Sequence, residues 1–101
     1  MIKISFRTKK LEKAYRYLHE GAKLWGMDVA RKYIMRVNAL QALDNTKLAA
    51  QVFPEYRPHE LKGTRKGTWA LDLHDRWRLL YKPSDTGIEL SIEEVSNHYD
   101  D

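Results

Sequence analysis

A chain of 101 residues, 43% hydrophobic and 11% aromatic, can enclose one modest core, which excludes two independent domains and wholesale disorder. It has no cysteine, which excludes a disulfide framework and a thiolate metal site and makes a reducing cytoplasm the expected location. The net charge of +4 is uneven: residues 1–36 carry ten Lys/Arg against three acids, residues 56–82 seven against three, and residues 83–101 six acids alone. That footprint suits a polyanion such as RNA, and it equally suits a small basic domain kept soluble by its lysines.

The chain opens on "MIKISFRTKK", which lacks the apolar run of a signal peptide, and no later segment is long enough to span a bilayer, so no membrane partner is expected. Alternation in "IKISF" predicts a strand from Ile2 to Phe6. Thr8 offers an N-cap for a helix through Leu11, Ala14, Tyr15 and Leu18, with Gly21 as its stop. A second helix is predicted from an Asp28 cap through Val29, Tyr33, Val37 and Leu40 to Leu43, with Arg31, Lys32 and Arg36 on its opposite side. "DNTKLAAQVF" adds a short helical turn before Pro54 and Pro58.

The period then changes from helical to alternating. Trp69, Leu71 and Leu73, then Trp77, Leu79 and Tyr81, then Ile88, Leu90 and Ile92 mark three strands joined by short turns. The fold class is therefore α+β: an N-terminal strand and two to three helices packed on one face of a curved, mainly antiparallel sheet, forming a single domain over residues 1–101. The opposite face is expected to be polar and open, with Arg76 and Arg78 beside Asp72 and His74.

"HELKGTRKGTWALDLHDRWRLLYK", followed by a strand and a terminal "SNHYD", resembles the HigB branch of the RelE/ParE toxin superfamily over nearly the whole chain. The resemblance rests on the histidine-x-Leu-Lys-Gly segment at His59, the Gly63-x-x-x-Gly67 spacing, and the Trp77–Arg78 pair opening a strand. Such toxins are ribosome-dependent mRNA endonucleases held inactive by an antitoxin, in this branch a helix-turn-helix, HigA-like protein. The resemblance implies metal-independent cleavage by the message's own 2′-hydroxyl in the ribosomal decoding site, with no cofactor.

That reaction needs a group to take the 2′-OH proton, cations to neutralise the phosphate, and a group to protonate the leaving 5′-oxygen. Histidine, with an ordinary pKa of roughly 6.5, suits both proton transfers, and Arg or Lys suits the charge. By resemblance, His59 takes a proton-transfer role, Lys62 and Arg78 meet the phosphate, and His98 is an acid/base partner. Tyr99 is a candidate to stack a base or polarise the nucleophile. The family closes on tyrosine then histidine, whereas here Asn97 precedes His98 and Tyr99 follows it. Arg65, Lys66, Arg76 and His74 are candidate RNA-backbone contacts. Four scattered histidines, at 19, 59, 74 and 98, lack the spacing of a metal site. The basic helix residues, among them Lys9, Lys13, Arg31 and Lys32, suit either ribosomal RNA or an acidic antitoxin segment. Bland roles compete at each position: a loop histidine at 59, a solvated lysine at 62, an Arg78 ion pair with Asp72 or Glu93, and a frayed terminus at 98 and 99. Two other functions share the fold: a ParE-like toxin that inhibits DNA gyrase by binding, and a non-catalytic member that only binds its antitoxin.

Overall fold

Period-two and period-3.6 patterns each find their element in the computed structural model, which describes residues 1–98. Strand β1 (Lys3–Phe6) leads to helices α1 (Lys9–Arg16), α2 (Leu18–Trp25) and α3 (Met27–Ala42). Thr8 caps α1 as its sequence position requires, its hydroxyl accepting from the Leu11 N–H. A 3₁₀ turn at Thr46–Leu48 and the single-turn α4 (Ala49–Val52) follow, then a second 3₁₀ turn at Pro54–Tyr56. The chain closes with β2 (His59–Glu60), β3 (Trp69–His74), β4 (Trp77–Pro83) and β5 (Glu89–Ser96). The strands form one sheet in the order β1-β5-β4-β3-β2, antiparallel except where β1 runs parallel to β5. No helix among the described residues is long and apolar enough to cross a membrane.

The helices cover one sheet face. Leu71, Leu79, Tyr81 and Ile92 meet Val29, Tyr33, Val37 and Leu40 in a single buried cluster, each aliphatic side chain contributing roughly 1.5–3 kcal/mol by leaving water. The buried Tyr33 hydroxyl donates to the Leu11 carbonyl at 2.7 Å, tying α3 to α1. Burial pushes the Tyr33 and Tyr81 phenols well above the ordinary tyrosine range, so both are neutral core groups.

Several local expectations are corrected. Gly21 lies inside α2 and stops nothing. A Cβ there would sit 3.1 Å from the Ala30 Cβ and 3.4 Å from the Ala14 Cβ, so the glycine serves close helix packing. The breaks fall instead at Tyr17, whose backbone is extended, and at Gly26, with φ 88°. Asp28 lies in the first turn of α3 and Gly26 takes the cap position. Arg36 does not face solvent. It is buried, its guanidinium 3.7 Å from the centre of the Tyr56 ring and its Nε donating to the Asp72 carbonyl at 3.2 Å. Ile88 precedes β5 and is exposed.

The β4–β5 turn is locked from across the fold. Asn45 Nδ2 donates to the Thr86 carbonyl at 2.9 Å, and the Thr46 N–H donates to the Gly87 carbonyl at 2.8 Å. Gly87 has φ 79°, and a Cβ on it would lie 2.1 Å from Asn45 Oδ1. Gly87→Ala is expected to cost about 2–3 kcal/mol, from the left-handed backbone and the displaced Asn45 cap. For a domain of this size that lowers Tm by roughly 10–20 °C. A circular-dichroism melt checks it, and a shift of only a few degrees would contradict the lock.

Candidate active site

On the face away from the helices, the register sets side chains in two cross-strand rows. His59 pairs with Ala70, Ala70 with Leu80, and Leu80 with Glu94. One step along, Asp72 pairs with Arg78 and Arg78 with Ser96. Directly opposed residues share a face, and neighbouring strands lie about 4.8 Å apart. The first row is apolar at its centre: Leu61, Ala70 and Leu80 form a small buried cluster, so this face is polar only around that patch.

The histidine-x-Leu-Lys-Gly segment opens on a short edge strand. Its β2 pairing places His59 on the sheet, while the loop of residues 61–68 folds back on itself. The Leu61 N–H donates to the Thr68 carbonyl at 2.8 Å, and the Gly67 N–H to Glu60 Oε2 at 2.8 Å. Gly63 and Gly67, at φ 69° and 95°, supply the left-handed turns this requires. Lys62 and Lys66 are exposed on the loop, and Arg65 reaches across to β5, 3.0 Å from Glu94 Oε1.

Arg78 is the most fixed cation on this face. Its side chain is only 11% exposed, its Nε lies 2.9 Å from Asp72 Oδ1, and its Nη1 donates to the carbonyls of Asp75 and Trp77 at 2.8 and 3.0 Å. A second guanidinium meets the same carboxylate: Arg57 Nε lies 2.8 Å from Asp72 Oδ2, and Arg57 Nη2 3.3 Å from Oδ1. One carboxylate thus bridges two arginines. Arg57 has φ 52° and sits between the Pro54–Tyr56 turn and Pro58. The Arg36 stack on Tyr56 and its bond to the Asp72 carbonyl tie that turn to β3.

The histidines separate by their partners. His59 Nδ1 lies 2.8 Å from the Arg57 carbonyl. A carbonyl only accepts, so Nδ1 carries the hydrogen and Nε2 is the basic nitrogen of the neutral ring. At the other end of the face, the His98 N–H donates to Ser96 Oγ at 3.0 Å and Ser96 Oγ donates to the His98 carbonyl at 3.1 Å. This bracket fixes the backbone of His98 just past the Arg78–Ser96 pair and leaves the residue exposed. Tyr99 lies outside the described residues.

Two expected contacts are placed elsewhere. The register shift between Asp72 and His74 turns His74 to the start of α3, where Lys32 Nζ donates to Nδ1 at 3.2 Å. Its Nε2 lies 3.4 Å from Asp75 Oδ2 and 3.8 Å from Asp28 Oδ2, and its pairing with Trp77 puts it on the helix side of the sheet. Arg76 is exposed in the β3–β4 turn and does not lie on the strand beside Arg78. His59, Arg78 and Ser96 share the open face, Lys62 rims it, and His98 ends it. Arg57 is an addition that the sequence alone did not single out, and Arg36, expected on the solvent side of its helix, instead ties the Tyr56 ring to the Asp72 carbonyl.

No protein-family model matches this sequence, and no curated protein matches it. Solved structures do. The YoeB–YefM complex from Staphylococcus aureus has TM-score 0.62 at 18% identity, covering 98% of this chain and 99% of that one. A YoeB/ParE toxin from Agrobacterium tumefaciens gives 0.59 at 19%, covering 97% and 100%. YafQ from E. coli strain BL21(DE3) gives 0.57 at 19%, covering 97% and 94%. Each likeness runs the length of both chains, and at these identities what it establishes is architecture. This chain has the α+β fold of the RelE/YoeB-like toxins, with the bridged arginine pair and His59 on the sheet face opposite its helices.

Proposed function

We propose that this chain is the toxin of a type II toxin–antitoxin system and acts as a ribosome-dependent mRNA endonuclease of the HigB type. The observation that carries the reading is the immobilised Arg78 guanidinium, set on the same open face as a histidine whose Nδ1 bond makes Nε2 the base. A gyrase inhibitor that works by contact alone has no need of either.

The chemistry balances without an external reagent. His59 Nε2 takes the proton of the 2′-hydroxyl, and the 2′-oxygen forms a bond to the adjacent phosphorus. The bond from phosphorus to the 5′-oxygen breaks, and His98, entering as imidazolium, protonates that oxygen. The products are a 2′,3′-cyclic phosphate and a 5′-hydroxyl. Arg78 and Lys62 neutralise the charge that builds on the non-bridging oxygens. Lys66 and the exposed helix lysines add sequence-independent attraction to ribosomal RNA.

The partner proposed for the resting state is a helix-turn-helix, HigA-like antitoxin, in line with the solved neighbour that is itself a toxin–antitoxin complex. Induction in growing cells, followed by mapping of message 5′ ends, tests the function. New ends inside translated codons are expected. Growth arrest with intact messages and a DNA-damage response would overturn the nuclease and favour gyrase.

A further inference from the structure

We propose that Arg57 and Arg78 form a two-guanidinium clamp for an RNA phosphodiester, and that Asp72 fills the clamp as an internal counter-anion which the phosphate displaces. The proposal rests on the nuclease reading of this face and names a phosphate-binding residue beyond it.

The geometry is that of an anion site already holding an anion. Both guanidiniums converge on one carboxylate, Arg57 through two nitrogens at 2.8 and 3.3 Å and Arg78 through Nε at 2.9 Å. A phosphodiester offers the same pair of acceptor oxygens, and planar guanidinium forks match either group. The three side chains sum to one positive charge, which a phosphodiester monoanion entering the clamp beside the displaced Asp72 neutralises.

Stability alone gives a poor account of Arg57. Its side chain is 63% exposed, and ion pairs that wet contribute little to folding. Yet its backbone is held in the left-handed region at φ 52°, a conformation unfavourable for a non-glycine residue and concentrated at functional sites. Its carbonyl accepts from His59 Nδ1, so one residue both orients the proposed base and aims a cation at the same face. Arg36 fixes the two jaws by stacking on Tyr56 and bonding the Asp72 carbonyl. The backbone on both sides is tied, and the carboxylate–guanidinium contacts are the part able to exchange. Asp72, with its side chain 29% exposed, is accessible to a competing anion.

The test uses the full chain and a short single-stranded RNA with 2′-O-methyl sugars, which binds but cannot be cut, titrated by fluorescence anisotropy. Arg57→Ala is expected to weaken binding about tenfold and to flatten its salt dependence by about one phosphate contact. Arg57→Lys is expected to recover part of the loss. Asp72→Asn keeps the shape and removes the competing charge, so it is expected to bind several-fold tighter. If Asp72 only braced the two arginines, its asparagine variant would bind equally or more weakly. Wild-type chain that fails to bind, or Arg57→Ala within twofold of it, would overturn the clamp. Message cutting by wild type in a translating extract is scored separately: if cutting persists while Arg57 proves dispensable, the clamp alone fails. If binding depends on Arg57 but no message is cut, the nuclease reading alone fails.

Discussion

Arg78→Ala is expected to lower the rate of message cleavage by roughly 10²–10³-fold, the loss seen when one preorganised charge-stabilising donor is removed. The size of the effect follows from how the guanidinium is held. Two carbonyls and the Asp72 carboxylate fix its orientation before any substrate arrives, and its side chain is 11% exposed. Little reorganisation is then needed as charge builds on the phosphate, and the partly dry setting strengthens the interaction. Folding is expected to suffer less, by about 1–2 kcal/mol, because Asp72 keeps Arg57 as a partner. Arg78→Lys retains the charge without the planar fork and is expected to fall between wild type and alanine. Single-turnover cleavage on ribosomes programmed with a defined message, alongside a thermal melt, measures both quantities. A rate within tenfold of wild type, in a variant that folds, would remove Arg78 from the chemistry.

The second large effect separates the two histidines. His59→Ala and His98→Ala are each expected to slow cleavage by about 10²–10⁴-fold, the range for loss of a general base or acid. Their roles differ, so a message whose scissile 5′-oxygen is replaced by sulfur should tell them apart. A thiolate leaves without needing a proton. The thio-substituted message is therefore expected to restore most of the His98→Ala rate and none of the His59→Ala rate. The assignment of His59 as base rests on its Nδ1 bond to the Arg57 carbonyl, which sets the tautomer. Rescue of His59→Ala with no rescue of His98→Ala would reverse the roles. Equal rates for both variants and wild type would leave this face without proton transfer.

The parts of this site that follow simple periodicity were legible in the sequence. Trp69–Leu71–Leu73 against Trp77–Leu79–Tyr81 defined two strands joined by a short turn, and that spacing alone put Arg78 beside Asp72 on the far face. The α+β layering, with helices on one sheet face, followed from the switch of period along the chain and is the architecture observed. What stayed hidden depends on tertiary contact. Gly21 read as a stop because glycine ends helices, but here it lets three helices meet. Arg36 read as a surface cation, since its charge says nothing of the Tyr56 ring that covers it. His74 read as a member of the open face, and one register shift turned it toward α3. Arg57 carried no motif: proline at 58 disfavours the right-handed helical region at the residue before it, yet nothing local announced a positive φ aimed at Asp72.

The nature of the cut end tests the account most directly. Purified chain, purified ribosomes and a defined message are incubated, and the 3′ terminus of the upstream fragment is analysed by mass. A 2′,3′-cyclic phosphate is expected, paired with a 5′-hydroxyl downstream, formed by the wild-type chain and lost in Arg78→Ala. A 3′-hydroxyl with a 5′-phosphate, or an uncut message at chain concentrations that arrest growth, would contradict the mechanism built on His59, Arg78 and His98.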